Sequence, residues 1–191
     1  PSSARRKASL QVVNILFNCL TKWMAPMLSF TMEECWTSRY GDGVGSIHME
    51  QFEVIPAEWR DDALAAKWQK IRNVRRVVTG ALEIERREKR IGSSLEAAPV
   101  VYITDEDLQQ VVAQVDMAEI CITSAITITD KSIPSDAVTL EEVSGVGVVS
   151  AKAEGTKCAR SWRVLPEVGS DPDYPDISLR DADAMRELEG R

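Results

Sequence analysis

One long stretch of the chain, from Trp59 to Ala97, spaces its apolar residues with the period of an α-helix. Steps of three and four residues place these positions on one helix face. They are Leu64, Trp68, Ile71, Val74, Val78, Ala81 and Leu82. At about 1.5 Å per residue, about thirty helical residues form a rod of about 45 Å that needs a packing partner for this stripe. We expect the helix to end at Gly92, because glycine readily adopts the left-handed conformation of a C-terminal cap.

A second helical pattern lies near the start of the chain. Its apolar stripe also follows three- and four-residue steps. The stripe is Val12, Ile15, Leu16, Cys19, Leu20, Trp23, Met24 and Met27. We expect this helix to begin near Ser2 or Ser3, whose hydroxyls can cap free amides, and to kink or end at Pro26, which lacks an amide proton. Thr31 and Glu34 form a capping-box pattern that predicts a short helix after it.

The pattern changes after Ala97. Pro99 to Ile103 is typical of a strand, and Thr104 to Asp107 is typical of a helix cap with acids at the positive end. Runs rich in β-branched residues follow and predict further strands. These runs are Ala118–Thr123, Ala125–Thr129 and Val143–Val149. Residues 98–152 are therefore expected to form a small mixed α/β module.

The last residues, 153–191, contain few apolar side chains, so they form either a small knuckle packed on its neighbours or a loosely ordered tail. With 191 residues and 44% hydrophobic content, the rest of the chain can build a proper core. The predicted fold class is mainly α with a small α/β module. Its predicted domains are a helical bundle over 1–97, the α/β module over 98–152 and the knuckle-like segment over 153–191.

The formal net charge of −7 argues against a protein whose whole surface attracts nucleic acid. The charge is uneven, however. Acid dominates from Glu167 to Glu189, and base dominates at Arg5–Lys7 and from Lys70 to Arg90. Each basic run is either a solvated helix face or a local contact with RNA, and the sequence leaves both interpretations open.

The residues offer little for catalysis. His48 is the single histidine, so any nucleophilic triad depends on it, and zinc needs about four nitrogen or sulfur ligands. No carboxylate pair lies in an apolar setting that would tune it for acid–base chemistry. The four cysteines are widely spaced and are expected to be reduced thiols of a cytoplasmic protein, three of them buried. No membrane span or signal-peptide pattern is visible, and a first residue other than Met suggests a piece of a longer polypeptide.

Four segments resemble the C-terminal region of bacterial isoleucyl-tRNA synthetases, which belong to class Ia of the aminoacyl-tRNA synthetases. Residues 23–36, WMAPMLSFTMEECW, are similar to the family's W-hAP-hhhFTAEE-hW segment, where h is apolar. Residues 46–50, SIHME, resemble SVHLE, and residues 88–97, EKRIGSSLEA, resemble the K-hIGSSLEA end of the long anticodon-domain helix. Residues 157–162, KCARSW, resemble the KC-RCW that opens a zinc-binding element.

The resemblance implies the anticodon-binding helical bundle of such a ligase, with the Val12–Met27 helix as partner of the rod. Its partners would be the anticodon stem-loop of tRNA(Ile) and the catalytic and editing domains of the parent chain. The HIGH and KMSKS signatures of the ATP site are absent from this sequence. The implied parent enzyme uses ATP and Mg²⁺ for aminoacylation, whereas no catalytic site and no cofactor are expected in these residues. We expect a cytoplasmic monomer that does not contact a membrane.

Candidate tRNA-binding residues follow from side-chain chemistry, since arginine and lysine pair with phosphates and aromatic rings stack on unpaired bases. They are Arg5, Arg6, Lys7, Arg72, Arg75, Arg76, Arg86, Arg87, Lys89, Arg90, Lys157, Arg160, Trp162 and Arg163. Trp162 is equally well interpreted as the small core of the knuckle.

The sequence differs from the family pattern at the zinc-binding element. The family often carries two Cys-x-x-Cys pairs, whereas this chain has Cys158-x-x-Ser161 and Ser178-x-x-Asp181. Cys158 is the one retained ligand position. A single thiolate cannot hold zinc tightly, so we expect the knuckle to persist without metal.

Two other functions stay open. The first is the same region of another class Ia synthetase, the valyl enzyme above all, since it shares the helical architecture. The second is a free-standing helical protein-interaction module of the same ancestry.

Overall fold

The computed structural model describes residues 3–190 and forms two compact units that divide between Arg60 and Asp61. The first unit contains helices α1 (Ala4–Met24) and α2 (Ser29–Tyr40) and three short 3₁₀ turns. The second contains four helices and six strands within the described residues. The helices are α3 (Asp62–Arg87), α4 (Glu106–Val112), α5 (Met117–Cys121) and α6 (Leu179–Glu189), and the strands are β1 (Val100–Ile103), β2 (Thr127–Thr129), β3 (Val138–Leu140), β4 (Val143–Val149), β5 (Thr156–Lys157) and β6 (Val164–Leu165).

The first unit is built around a small core between α1 and α2. Ala25, Met32, Trp36 and Ile47 are buried there. Close to them lies Lys22, also buried, which pairs with Glu53 at 2.8 Å and Glu50 at 3.2 Å. Hydrogen bonding to Glu53 raises the pKa of Lys22 above its usual value, although burial acts in the opposite direction. The unit thus keeps a buried cation charged by pairing it with two carboxylates.

The predicted stripe of α1 is only partly buried. Cys19 is buried, whereas Val12, Leu16, Leu20 and other members of the stripe are about half exposed. Two helices bury only the side chains that face each other, so the remaining apolar positions of α1 stay open within this unit. The capping box at Thr31 does not begin α2, because the helix already starts at Ser29 with Leu28 at the N-cap. The Ser2 part of the predicted α1 cap lies outside the described residues, and Ser3 occupies the cap without a side-chain bond.

Helix α3 begins with a well-formed cap. Asp61 accepts a hydrogen bond from the Leu64 amide at 2.8 Å, which satisfies one of the free donors of the first turn. The buried residues of α3 agree with most of the predicted stripe, whereas Leu64 and Trp68 are exposed. They are Ile71, Val74, Val77, Val78, Ala81 and Leu82.

The prediction that α3 runs to Gly92 is wrong at its end. The helix stops at Arg87, and the left-handed cap residue is Lys89, with φ of 57°. The Arg90 amide donates to the Glu85 carbonyl at 2.9 Å and the Lys89 amide to the Arg86 carbonyl at 3.0 Å, which is the Schellman pattern. Gly92 instead permits a close approach of the Glu96 carboxylate, which accepts its amide proton at 3.0 Å.

A four-stranded mixed sheet covers the buried face of α3. Its strand order is β2-β1-β4-β3, with β1 parallel to β2 and antiparallel to β4. Val101 pairs with Val148 in the centre of the sheet, and both are fully buried. The core formed by α3, the sheet, α4 and α5 is continuous, so the sheet buries the stripe for which the sequence led us to expect the Val12–Met27 helix.

This shared core includes residues on both sides of the predicted division at 97/98, which stays a prediction. The predicted boundaries at 97/98 and 152/153 do not coincide with the boundary between the two compact units, which lies at 60/61. The reason is that the apolar face of α3 packs on β4, β3, α4 and α5. The coarse fold class, mainly helical with a small mixed sheet, is confirmed.

The strand predicted over Ala118–Thr123 is wrong, because Met117–Cys121 forms the short helix α5. Asp116 caps it by accepting the Glu119 amide at 3.0 Å. This cap, together with the helix-favouring Met, Ala and Glu that follow it, outweighs the weak strand preference of two isoleucines. The strands predicted over 99–103, 125–129 and 143–149 are present with slightly different ends.

The C-terminal segment, residues 153–190, is folded rather than loosely ordered. Strands β5 and β6 form an antiparallel hairpin, and α6 packs behind it with Ala182 fully buried. Ser124 ties the segment to the α/β core. Its hydroxyl accepts the Val164 amide at 2.6 Å and donates to the Leu95 carbonyl at 2.5 Å, and its carbonyl accepts from Arg163.

Two glycines provide a matched test of these packing assignments. Gly155 has φ of +115°, and an added Cβ would overlap the Leu165 backbone across the β5–β6 hairpin. Gly155→Ala should therefore lower the free energy of unfolding by about 2 kcal/mol or more. Gly80→Ala in α3 meets no atom within 4 Å and should raise stability by about 0.5–1 kcal/mol. Urea unfolding measures both changes, and equal effects of the two variants would contradict this assignment.

Candidate nucleic-acid interface

The basic residues of α3 form two neighbouring stripes along the helix. Arg75 and Arg86 are eleven residues apart, as are Arg76 and Arg87, and eleven residues make about three full turns. Each pair therefore lies on one face of the helix. All four side chains are exposed, and so is Arg72 one turn before Arg76.

Several of these cations already have partners within the protein. Arg90 donates to both oxygens of Glu85, at 2.5 and 2.7 Å, and also pairs with Glu88. This bond with Arg90 holds the pKa of the Glu85 carboxyl below its usual value. Arg86 pairs more loosely with Glu83 at 3.4 Å. Arg76, Arg87 and Lys89 make no side-chain ion pair within residues 3–190, so their charges are the most available on the rod.

The predicted cluster Arg5, Arg6 and Lys7 lies in the first turns of α1, in the other compact unit. All three side chains are exposed, and no acidic residue occupies the first turn of this helix. Cations at the positive end of a helix gain nothing from its dipole. The helix dipole therefore does not stabilise the charges of this cluster.

The remaining candidates belong to the C-terminal segment. Trp162 is 63% exposed, so it is not the core of this segment. Its φ is 62°, its amide donates to the Cys158 carbonyl at 2.9 Å, and the Lys157 ammonium lies 5.8 Å from the ring centroid. A tight turn thus holds an aromatic ring outward with a cation beside it.

Arg160 and Arg163 are bound more tightly into the protein. Arg160 lies 3.6 Å from the Asp181 carboxylate and contacts the sulfur of Met185. Arg163 donates to the Ser124 carbonyl, and its Nε is buried without a hydrogen-bond partner in the described part of the chain. Arg163 therefore has a clear structural contact, which the sequence did not indicate.

The structure brings together Cys158, Ser161, Ser178 and Asp181, the four positions that the sequence analysis compared with the family's zinc ligands. Cys158 donates to Asp181 at 3.2 Å and accepts the amides of Ser161 at 3.4 Å and Ser178 at 3.3 Å. The Ser178 hydroxyl donates to the same Asp181 oxygen at 2.9 Å. Burial raises the pKa of Asp181, but these hydrogen bonds and the nearby Arg160 outweigh it, so that the pKa lies below its usual value.

This donor set does not fit zinc. Structural zinc sites use thiolates, imidazoles and carboxylates, whereas two of the four positions here are neutral serine hydroxyls. Ser161 Oγ is buried and has no partner among residues 3–190. Within the same residues no group of three or more His, Cys, Asp or Glu side chains is placed to hold a metal ion.

A second ion pair closes the C-terminal segment from the other side. Arg186 of α6 donates to both oxygens of Asp171, at 2.9 and 2.6 Å, and Asp171 is almost fully buried. The Arg186 guanidinium also lies over the Tyr174 ring, 5.3 Å from the ring centroid. The hydrogen bond from Arg186 holds the pKa of Asp171 below its usual value, despite an opposing effect of burial.

A groove that the sequence does not indicate lies beside the stripe formed by Arg75 and Arg86. It is lined by α3 residues and by the turn after α5, and its volume is about 160 Å³. Ile122 forms part of its wall in a left-handed conformation, with φ of 58°. No sequence signal marks this residue, because isoleucine gives no indication of positive φ.

The profile described as the anticodon-binding domain of tRNA ligase matches residues 1–102. The chain belongs to this family. Its match includes α1, α2, α3 and β1, so the family pattern extends across both compact units of the structure.

Full-length relatives agree with the resemblance seen in the sequence. The isoleucine–tRNA ligase of Agrobacterium fabrum is 63% identical to this chain over 188 residues. Those of Bartonella henselae and Brucella suis are 60% and 61% identical, each over 189 residues. These alignments cover 98–99% of the chain and 19% of each relative. The chain thus spans about a fifth of the length of the relatives it matches. The isoleucine interpretation is confirmed over the valyl alternative. Within residues 3–190 no helix is long and apolar enough to cross a membrane.

The Asp171–Arg186 pair predicts an acid-sensitive C-terminal segment. The folded-state pKa of Asp171 is lowered, so the pair contributes stability above the ordinary aspartate pKa of 3.8 and loses it as pH falls toward the lower folded value. Arg186→Gln should therefore destabilise the protein at pH 6 and do so progressively less below about pH 4.

Urea unfolding of the wild type and of Arg186→Gln between pH 2.5 and 7 measures this difference. Lys131→Gln, a substitution of an exposed cation outside the pair, controls for the loss of one positive charge. The assignment would be disproved if the free energies of unfolding of the wild type and of Arg186→Gln differed by the same amount at every pH.

Proposed function

We propose that this chain docks the anticodon stem-loop of an isoleucine tRNA for a ligase whose catalytic and editing domains belong to the rest of the parent protein. The proposal is supported by family membership and by the relatives, which are isoleucine–tRNA ligases. Aminoacylation with ATP and Mg²⁺ would be carried out by those other domains. Docking at the anticodon would hold the tRNA so that its acceptor end reaches them.

Trp162 is the observation that carries this proposal. An exposed indole normally costs solvation free energy, and this one is held outward by a turn in a conformation that large residues rarely adopt. Proteins that bind unpaired RNA bases use such rings as stacking platforms, with cations nearby for the phosphates. Lys157 beside the ring meets the second requirement.

The candidate cations supply the electrostatic part of binding. Arg76, Arg87 and Lys89 on the rod, with the α1 cluster and Lys157, would pair with phosphates and give salt-dependent affinity. Arg90 would contribute less, because Glu85 already neutralises it. The proposed interface also includes five further arginines, which are Arg72, Arg75, Arg86, Arg160 and Arg163. Arg160 and Arg163 would act chiefly as supports for the turn that carries Trp162.

The experiment is a binding titration of the chain with an isoleucine tRNA anticodon stem-loop and with a valine stem-loop of equal length. The wild type should prefer the isoleucine RNA and bind more weakly as salt rises. Trp162→Ala should weaken binding about 5- to 150-fold, because stacking on one base is worth about 1–3 kcal/mol. Trp162→Phe keeps an aromatic plane and should retain most of the affinity.

Leu188→Ala, at an exposed position of α6, serves as the matched control and should bind like the wild type. Absence of RNA binding by the wild type would exclude the proposed function. Equal affinity of Trp162→Ala and the wild type would remove Trp162 from it. A free-standing protein-interaction module is the alternative, and it predicts no preference between the two RNAs.

We also propose that the C-terminal segment is a zinc-knuckle-like fold that works without metal. The hydrogen bonds among Cys158, Ser178 and Asp181 join the two halves that a zinc ion joins in such elements. The purified chain should contain much less than one zinc per molecule by elemental analysis. Substituting Ser161→Cys, Ser178→Cys and Asp181→Cys together should create a four-thiolate site and raise the zinc content toward one. Near-stoichiometric zinc in the wild type would refute this proposal.

The predicted division into a bundle (1–97), an α/β module (98–152) and a knuckle-like segment (153–191) is proposed as a functional division. The first would bind the stem-loop and the last an unpaired base at Trp162. A monomeric, cytoplasmic protein is part of the same proposal.

A further inference from the structure

The groove beside α3 has an arginine near each end and a mixed apolar and polar lining between them. Its α3 wall follows one helix face over about three turns, which is about 16 Å from Arg75 to Arg86. Between the two arginines lie Thr79, Leu82 and Glu83. The opposite wall contributes Ile91, Ser94, Cys121 and Ile122, and all of these residues belong to the second compact unit.

The positive charge at one end of the groove is held in place. Arg75 Nε donates to the Ile120 carbonyl at 2.9 Å, which ties the guanidinium to the end of α5. At the other end Arg86 pairs with Glu83 at 3.4 Å, a long contact between two exposed side chains. Such a pair contributes little to stability and can be exchanged for a phosphate at small cost.

The groove does not have the chemistry of a reactive site. Cys121 is buried, and burial raises the pKa of its thiol to about 11, although the nearby Arg75 charge lowers it. The thiol is therefore protonated at neutral pH and is a poor nucleophile. Within residues 3–190 no histidine lines the groove. Its side chains favour binding rather than catalysis.

Ile122 breaks two local rules at the mouth of this groove. It caps α5 in the left-handed conformation, at φ 58° and ψ 50°, a position that glycine usually occupies because a Cβ is strained there. A β-branched residue is a pronounced outlier in this region. The side chain is also 54% exposed, so it gains little from burial in the core.

Neither packing nor turn geometry explains an isoleucine here. Glycine would satisfy the same cap with less strain, since the amides of Ile122 and Thr123 donate to the Glu119 and Ala118 carbonyls through the backbone alone. Strained residues that persist without a structural gain are concentrated at ligand-binding positions. The apolar side chain of Ile122 is therefore interpreted as a contact for a molecule bound in the groove.

We propose that the groove binds one unpaired nucleotide of the docked RNA, with its base against Ile122 and the flanking phosphates at Arg75 and Arg86. The proposal rests on the proposed function. An extruded base is commonly held against apolar side chains. Ser94 also lines the groove and offers a hydroxyl to the base or its ribose, whereas the Thr79 hydroxyl already donates to the Arg75 carbonyl at 3.0 Å and can only accept. A short stretch of single strand would follow α3 from one arginine to the other.

The test compares Ile122→Gly with the wild-type chain, using the isoleucine anticodon stem-loop as the probe. Glycine removes the strain, so the variant should unfold at a higher temperature, and this separates the test from any loss of folding. The same variant should bind the stem-loop about tenfold more weakly, because the base loses the apolar side chain that would cover it. We therefore expect Ile122→Gly to raise the unfolding temperature and to lower the affinity for the stem-loop.

Two further variants complete the design. Ile122→Leu keeps an apolar side chain and should retain most of the affinity, whereas Leu188→Ala lies outside the groove and should leave it unchanged. Unchanged RNA affinity of Ile122→Gly would overturn the inference, and it would point to a protein side chain as the occupant. If the wild type binds and Trp162→Ala weakens it while Ile122→Gly does not, the proposed function survives and the groove assignment alone fails.

Discussion

The second compact unit depends on one packing interaction, the burial of the apolar face of α3 against the mixed sheet. Val74, Val77 and Val78 are fully buried there, in the same core as Val101 and Val148 of the central strands. Each such side chain contributes about 1.5–3 kcal/mol when it is removed from water. A four-stranded sheet with short edge strands has too little apolar surface to be stable alone, so the helix is the second layer that the sheet requires.

The same packing determines which residues of α3 remain exposed to solvent. Once the valine face points to the sheet, the charged residues between these positions must point outward because of the helical period. The stripes Arg75–Arg86 and Arg76–Arg87 follow from this geometry. The turn at Lys89 and Arg90 then ends the helix, and Glu85 neutralises Arg90, so that the end of the rod carries less available charge than its sequence suggests.

Hydrogen bonds hold the two ends of the C-terminal segment together. Cys158 is fully buried, receives two amide protons and donates to Asp181. Ser178 caps α6 by accepting the Asp181 amide, and its own amide donates to the Cys158 sulfur. Ser124 and Arg163 attach the segment to the larger core of the second unit.

The sequence by itself determined the long helix, the buried side of that helix, most strands of the sheet and the family. These features are local or periodic: a helix face is visible in Ile71, Val74 and Val78, and a family motif such as residues 88–97 is a direct match of letters. Of the four cysteines, three are buried, as the apolar patterns around them indicated. The charged residues of the candidate interface were also visible, since residue type alone identifies them.

Only the tertiary structure decided which surface covers α3, which cations have internal partners, and where the unusual backbone positions lie. The partner of an apolar stripe depends on contacts between residues far apart in sequence, which periodicity does not encode. Lys89, Ile122 and Trp162 adopt positive φ although none is a residue type that signals it, because the amides of each turn donate to carbonyls three to five residues earlier. The meeting of Cys158, Ser161, Ser178 and Asp181 likewise depends on the fold, which brings a hairpin turn against the start of α6.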